Sequence, residues 1–416
     1  MERPQFGNFS PLQSEADILV ADVLGRIQAS PAVYEKANER YHTQAEWLER
    51  DGSPLKGKVE LVYGQGGVSQ GSSIAARGTN DEFDVDAMVQ LHPSIDLGPD
   101  YVLDLLYITV KGERGSRYHD VTTRCTRCVQ VQYADKMHID LTPAILQPGV
   151  LARQSTIFHH RAETPTVPGK RVTANPFGFT RWFKDATPPE PYLIDAFDSE
   201  LRALAKADAE PLPQQVGPHG MSRALASLQL IKRFRNLRYD RRDCRCPPSV
   251  LLAKLVADYR AEAMTLAAAL LEHAIQLRGR FVREIGCGRL IHEVNPAPCQ
   301  SDVLTDRWPS SMQDQLQWAG DLDHLVTQLT IYVHRQLTLK QRQDILGDLF
   351  GEQAAKSAMH VFTDRLAEAQ RRSGTHYQPG TGRLVLPAAV AASTASQARP
   401  MPSTKYFGGE RCEPFL

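Results

Sequence analysis

The first part of the chain places apolar residues at a helical period. Between residues 14 and 27 they recur at three- and four-residue spacing, and Ser14 stands where an N-cap is expected. A second helical stretch covers residues 32–50. The pattern therefore predicts that the chain opens with two helices.

The pattern then changes to that of a mixed α/β unit. Predicted strands cover residues 58–63, 83–91 and 128–133 and the run around Asp140, with a glycine-rich turn at 64–71 and a helix near 101–110. Runs of β-branched and aromatic residues bounded by turn residues are typical of strands. We expect acidic residues on the central strands, and the strand of Asp140 to close the sheet.

Two proline-rich connections, at residues 164–168 and 188–191, precede a helical second half. The clearest helix covers residues 221–239. Its predicted apolar side consists of Leu225, Leu228, Leu230 and Ile231, and its basic side of Lys232, Arg233, Arg235 and Arg238. A charged helix face by itself usually indicates a solvated surface. Further helices are predicted at residues 250–277, 312–337 and 339–372, the last with a break at 349–352.

These patterns divide the chain into three parts. We expect bracing helices and a mixed α/β core at residues 1–175, a helical lobe at 176–372, and a flexible tail rich in Gly, Pro, Ala and Ser at 373–416. The loop at residues 286–308 is expected to line the edge of a cleft, with a connector anchored by Trp308 as the alternative.

Composition and charge narrow the class of protein. The chain has 416 residues, 42% of them hydrophobic, with 48 basic and 48 acidic side chains and thus no net charge. A protein that coats nucleic acid usually carries a basic excess, so we expect no obligatory nucleic-acid partner. No apolar run approaches the ~20 residues of a membrane helix, and the N-terminus lacks a signal pattern. We expect a cytoplasmic protein without a membrane partner.

The cysteines agree with a reducing compartment. There are 7, at irregular spacing. The pairs Cys125/Cys128 and Cys244/Cys246 could in principle hold zinc between the two lobes, although the second spacing and the lack of a nearby His argue against it. Metal analysis of the purified protein decides between these alternatives.

The candidate chemistry lies in residues 70–91. Gln70, Gly71 and Ser72 form a turn where backbone N–H groups and a hydroxyl could meet phosphates. Asp84 and Asp86 follow on a strand, so both carboxylates leave the same face. Adjacent carboxylates repel, and Mg²⁺, which takes carboxylates together with phosphate oxygens, explains such a pair.

Asp140 supplies a third acid on a second apolar strand. A lone pair of aspartates on a polar loop is usually a solvated turn. Here all three interrupt apolar runs, and a buried carboxylate requires a partner. Three acids from two strands suffice for two Mg²⁺ ions, with Mn²⁺ as a substitute.

This spacing resembles the signature of polymerase-beta-like nucleotidyltransferases. Further stretches resemble bacterial CD-NTases, the cyclic-oligonucleotide synthases of anti-phage (CBASS) defence related to cyclic GMP-AMP synthase and oligoadenylate synthase. These stretches are NPFGFTRWF at 175–183, LQLIKRFRN at 228–236, PPSVLLAKL at 247–255, and VNPAP and TDRW within 294–308. The resemblance covers roughly residues 11–351, and the three acids are its most specific part.

The resemblance implies an α+β fold, with a polymerase-beta-like core, a mainly helical second lobe, and N-terminal helices that brace both. It implies that Asp84, Asp86 and Asp140 are catalytic and metal-binding, and that Lys232 and Ser249 contact the triphosphate. The expected reaction joins nucleoside triphosphates, ATP among them, into a cyclic di- or trinucleotide that reaches a downstream effector. Whether a partner protein regulates the enzyme stays open.

Two alternatives remain. One is a nucleotidyltransferase that extends an RNA end or makes linear oligoadenylate; such an enzyme should carry a basic groove, which the neutral charge balance disfavours. The other is a binding module with a decayed site. An inactive scaffold has no reason to keep repelling carboxylates together, so the three acids favour an enzyme.

Overall fold

The fold is known from a computed structural model, which describes residues 14–75, 83–149, 151–164, 166–190, 221–371, 376–378, 383–385 and 399–400. The helices are α1 (Glu15–Ile27), α2 (Pro31–Leu48), α3 (Gly66–Gln70), α4 (Pro99–Lys111), α5 (Pro176–Ala186), α6 (Arg223–Tyr239), α7 (Ser249–Ala257), α8 (Leu266–Gly286), α9 (Met312–His334), α10 (Leu339–Phe350) and α11 (Glu352–Arg371). The strands are β1 (Val59–Gly64), β2 (Phe83–Leu91), β3 (Thr122–Arg124), β4 (Val129–Gln132), β5 (Met137–Leu146), β6 (Ser155–His159), β7 (Lys170–Ala174), β8 (Val294–Asn295) and β9 (Cys299–Val303).

A seven-stranded sheet forms the first lobe. Its order is β1-β2-β5-β4-β3, and β6 and β7 continue from the second half of β5. The strands β2 and β5 run parallel, whereas the other neighbours are antiparallel. The expectation that the Asp140 strand closes the sheet is therefore wrong. Its alternate side chains Ile139 and Leu141 are fully buried, as befits a central strand.

The two N-terminal helices join different cores. Ser14 caps α1 in a capping box with Asp17. Helix α1 packs into the core of the helical lobe, where Leu19 is fully buried. Helix α2 packs beside the sheet, and the indole of Trp47 donates to the carbonyl of Val110 on α4 at 2.8 Å. The pair thus reaches both lobes, as the resemblance implied.

Helix α6 is buried on nearly every side. Lys232, Arg233 and Arg235 are all less than a tenth exposed. These three side chains therefore do not form the solvated face that is usual for an isolated charged helix, which agrees with the phosphate contact that the resemblance implies for Lys232. Of the predicted basic residues only Arg238 reaches the rim, where it pairs with Asp348. The packing of several helices around α6, which its own sequence does not encode, buries the charges.

The single helix predicted at 250–277 is two helices, α7 and α8. The carboxylate of Glu272 accepts backbone N–H bonds from Glu262 and Ala263 and so stabilises the turn between them. The predicted break near 349–352 is confirmed at Gly351, which has a positive φ of 105°.

The predicted tail lies mostly outside the described residues. Within it, three short strands at 376–378, 383–385 and 399–400 form a small antiparallel sheet. Across the parts of the chain that the structure describes, none of the helices has the length and apolar character needed to span a bilayer.

Candidate active site

The three predicted acids meet where β2 and β5 lie side by side. In the parallel register Asp86 stands opposite Asp140, and Asp84 stands opposite His138. The alternating residues Phe83, Val85 and Ala87 are buried in the sheet core, which turns the carboxylates of Asp84 and Asp86 to the other face. Strand alternation and register together produce the cluster.

The three carboxylates repel one another. Burial, followed by the charges of Asp84 and Asp140, raises the pKa of Asp86 to about 7. Burial also raises the pKa of Asp140, although that carboxylate accepts a hydrogen bond from the Gln130 amide at 3.0 Å. Such repulsion inside a cleft fits a site that takes up positive charge from a ligand.

The Nε2 atom of His138 contacts the carboxylate of Asp84 across the β2–β5 register. In the described ranges, no three His, Cys, Asp or Glu side chains are arranged closely enough to hold a metal ion. The two cysteine pairs therefore do not form such a group with a third ligand from the described part of the chain either. Cys244 lies against Gln317. The carboxylate of Asp84 is thus directed toward His138.

Lys232 faces the acids from the helical lobe. Its ammonium group donates to the carbonyl of Ser72 at 2.7 Å. Burial, and then the charge of Arg235, lowers the pKa of Lys232 to about 7, while Asp86 and Asp84 oppose that shift. A buried lysine beside an acidic cluster is suited to contact a phosphate.

Arg235, one turn along α6, orients Ser249. Its guanidinium donates to the carbonyl of Pro247 at 2.7 Å and to the hydroxyl of Ser249 at 3.0 Å. Ser249 is the first residue of α7, and it lines the cleft together with Arg235. The serine predicted to meet phosphate is thus positioned by a buried arginine.

The glycine-rich stretch approaches the acids at its beginning. Gly66 has a φ of 60°, and a Cβ atom there would collide with the carboxylate of Asp86. At Gly67 a Cβ atom would lie 2.8 Å from the hydroxyl oxygen of Ser73 and 3.4 Å from the ammonium of Lys232. Only backbone fits between the acids and Lys232 at these two positions.

Only part of the predicted phosphate-binding turn lies at the cleft. Gln70 and Ser73 line the cleft, whereas Gly71 and Ser72 are not among the lining residues. The hydroxyl of Ser72 is buried and donates to the Gln70 side chain at 3.2 Å. Gln229 of α6 fixes the turn by donating to the carbonyl of Gly71 at 3.1 Å. Ser72 can act on a ligand only after rearrangement or through its backbone.

The cleft between the lobes has a volume of about 470 Å³, which is in the range of small-molecule sites. The loop at 286–308 forms one edge through Val303, Leu304 and Arg307, as predicted. Trp308 is also buried in the core of the helical lobe, so the loop has both of its expected roles.

Residues 20–185 match the model of the Second Messenger Oligonucleotide or Dinucleotide Synthetase domain. The cyclic dinucleotide synthase CdnG of Bradyrhizobium diazoefficiens is 32% identical over 386 residues, covering 92% of this chain and 91% of CdnG. The chain belongs to the CD-NTase family. The structure of the CD-NTase CdnG with GTP gives a TM-score of 0.73 at 30% identity, covering 84% of this chain and 100% of that one.

Two more distant CD-NTase-like proteins extend the comparison. A c-di-GMP synthase of Roseivirga ehrenbergii is 22% identical over 307 residues, covering 71% of this chain and 76% of its own length. The structure of CdnC from E. coli with ATP has a TM-score of 0.54 at 13% identity, which is a likeness of fold alone. The α+β fold expected for a polymerase-beta-like CD-NTase is confirmed.

In this CD-NTase the structure brings Asp84, Asp86, Asp140, Lys232 and Ser249 to one cleft. Sequence reasoning missed the contributions of Gly66, Gly67, Ser73, His138 and Arg235. Three of them carried a signal: Gly66 and Gly67 lie in the glycine-rich stretch, and His138 is two residues from Asp140 on the same strand face. The contact between Arg235 and Ser249 depends on helix packing, and nothing in the sequence indicated it.

Proposed function

We propose that this chain joins nucleoside triphosphates into a cyclic dinucleotide and releases pyrophosphate. The observation that carries the proposal is the cleft itself, with three aspartates on adjacent parallel strands opposite a buried lysine. GTP is the first substrate to test, because the relative CdnG is a cyclic dinucleotide synthase whose structure contains GTP. A ring of three nucleotides is the other product size to look for.

The acids offer carboxylate ligands for divalent cations once Asp84 turns from His138 toward Asp86. Burial, followed by repulsion from Asp84 and Asp140, raises the pKa of Asp86, and carboxylates beside a phosphate chain suit Mg²⁺. Asp84 and Asp86 would hold one ion, and Asp86 and Asp140 a second, with Mn²⁺ as a substitute. When bound, Mg²⁺ would neutralise phosphate charge and lower the pKa of the attacking ribose hydroxyl.

The chain's own residues position the two nucleotides. Lys232 and Ser249 contact the phosphates of the donor, and Arg235 holds Ser249 in place. Gln70 lines the cleft and can contact the phosphates, whereas Gly71 and Ser72 would do so only through their backbone N–H groups. Gly66 and Gly67 let the phosphate chain approach the backbone. A ribose hydroxyl of the second nucleotide attacks the α-phosphorus, and the bond to the β-phosphate breaks. A second such step closes the ring.

The biological setting is part of the same proposal. We place the enzyme in the cytoplasm, in anti-phage signalling, with an effector that the cyclic product activates and with no membrane or obligatory nucleic-acid partner. A regulatory protein partner is compatible with this setting. Such a partner would appear as a requirement for a second protein in the assay below.

The test is to incubate the full chain with GTP, or with all four nucleoside triphosphates, and Mg²⁺. We expect a phosphatase-resistant product with the mass of a cyclic dinucleotide, together with pyrophosphate. An Asp84→Ala/Asp86→Ala double variant with an unchanged melting curve should make neither. Only linear products, or extension of added RNA, would contradict ring closure.

A further inference from the structure

Two cysteines face each other in the hairpin that leads to the acids. Strands β3 and β4 pair with Thr123 opposite Gln130 and Arg124 opposite Val129, which places Cys125 opposite Cys128. The backbone N–H of Cys125 donates to the carbonyl of Cys128 at 2.9 Å. Opposed residues of an antiparallel pair have Cα atoms about 5 Å apart, which is within the range that a disulfide spans.

The cysteine pair lies at the wall of the cleft. Cys125 and Cys128 are both partly exposed. Cys128 lines the cleft together with Asp140. The carboxylate of Asp140 also accepts a hydrogen bond from the amide of Gln130, two residues after Cys128, at 3.0 Å. A change at Cys128 therefore alters the cleft wall beside Asp140.

We propose that Cys125 and Cys128 form an oxidative modification site that lowers nucleotide joining when it closes as a disulfide. The disulfide draws the sulfur of Cys128 toward Cys125 and so changes the cleft wall where Cys128 and Asp140 lie together. It also constrains the hairpin from which β4, with Gln130 as the donor to Asp140, begins. This inference rests on the proposed catalytic role of Asp140.

A peroxide is the class of oxidant that balances the reaction. The sulfur of Cys125 attacks hydrogen peroxide, the O–O bond breaks, and water and a sulfenic acid form. The sulfur of Cys128 then displaces the sulfenic oxygen as a second water, and the S–S bond forms. The two thiols lose two electrons and two hydrogens, and the peroxide is reduced to two waters. A hydrogen bond from Cys128 lowers the pKa of the Cys125 thiol, which favours Cys125 as the first sulfur to react.

The other described cysteines serve as controls. Cys287 is exposed in the turn after α8, away from the residues that line the cleft. An oxidant will reach it, but its oxidation should not affect Asp140. Oxidation of Cys287 thus reports general damage, whereas the loss of two hydrogens from the peptide of residues 125–128 reports the proposed site.

The experiment compares the reduced full chain with the peroxide-treated chain, with and without later addition of dithiothreitol. We expect a 125–128 disulfide by peptide mass analysis and a loss of cyclic product on the order of tenfold, which dithiothreitol restores. Cys125→Ser keeps the thiol beside Asp140 and should retain most of its activity after mild peroxide treatment. Cys287→Ser should respond as the natural chain does.

The proposal is overturned if the 125–128 disulfide forms and product formation stays constant, or if Cys125→Ser loses as much activity as the natural chain. Cys125→Ala replaces Cys125→Ser should the latter fail to fold. If the reduced chain makes no cyclic product, the proposed function fails instead. The disulfide is then still tested by mass and by its effect on the shift in melting temperature that GTP and Mg²⁺ produce.

Discussion

The two walls of the cleft carry opposite charges and obtain them by different means. On the sheet side, the acids follow from strand alternation and from one register, in which Asp86 stands opposite Asp140. On the helical side, Lys232 and Arg235 belong to a helix buried on nearly every side, and packing alone directs them to the cleft. Local pattern thus encodes the acidic wall, whereas assembly of the lobe creates the basic wall.

Asp86→Asn tests the acidic wall and should have the largest effect. The amide keeps the size of the side chain but removes the central negative charge, so pyrophosphate release should fall by about 10²- to 10³-fold. Because the charged form of Asp86 is destabilised in the fold, the melting temperature should stay equal or rise. Asp51→Asn, at a nearly fully exposed position, is the matched control and should change neither quantity. Full activity of Asp86→Asn would remove this residue from the mechanism.

Lys232→Met tests the basic wall, with a loss of activity that we expect to be about 10- to 100-fold. Methionine has a similar length and no charge, and burial already disfavours the charged lysine, so stability should not decrease much. Arg238→Met on the same helix is the control, since Arg238 lies at the rim beside Asp348. Equal losses in the two variants would mean that the helix contributes only general positive charge.

Gly66→Ala tests the junction between the walls and should reduce activity by about tenfold. Its Cβ atom would displace the carboxylate of Asp86. Gly52 is the matched control, because it also has a positive φ, of 76°, but nothing lies within 4 Å of its Cβ position. Both alanines should cost about 1 kcal/mol of stability from backbone strain, measured by urea unfolding. An equally inactive Gly52→Ala would assign the effect to strain alone.

The smallest expected effect concerns stability alone and comes from His273 in the helical lobe. It is buried against the edge of Tyr259, and burial, followed by the charge of Arg223, lowers its pKa to about 4. The unfolded chain takes up this proton near pH 6.5, whereas the folded chain does so only near pH 4. The neutral His273 imidazole therefore adds no pH-dependent cost to folding above pH 6.5. The free energy of unfolding should fall by about 2 kcal/mol between pH 7 and pH 5 on account of this residue.

Burial raises the pKa of Asp86 and Asp140, so their contributions to the free energy of unfolding change with pH in the direction opposite to that of His273. The effect of His273 must therefore be measured as the difference between the natural chain and a His273 variant. Urea unfolding of the natural chain and of His273→Leu at the two pH values isolates the contribution of this imidazole. His360→Gln, at an exposed position of α11, should keep the pH dependence of the natural chain. Identical pH dependence in His273→Leu and the natural chain would contradict the assignment.

Features that depend on local sequence pattern could be predicted from the sequence, whereas features that depend on packing could not. The strand of Asp84 and Asp86 and the cap at Ser14 follow from residues close in sequence, and the structure confirms both. The sheet edge was predicted wrongly because β6 and β7 pair with a part of β5 that its own pattern does not mark. The burial of the basic side chains of α6 could not be predicted, because helices that pack around α6, such as α1, lie far away along the chain.

The sequence by itself determined most of the helices and strands, the three acidic residues, and the family resemblance that indicates their chemistry. These features follow from strand alternation, helix caps and motif spacing, which act over short distances along the chain. Tertiary structure decided the rest. It set Asp86 against Asp140, paired Asp84 with His138, turned Ser72 behind the cleft and brought Arg235 to Ser249. Each of these contacts joins residues whose proximity depends on register or helix packing, and the free energy of burying both cores selects them together.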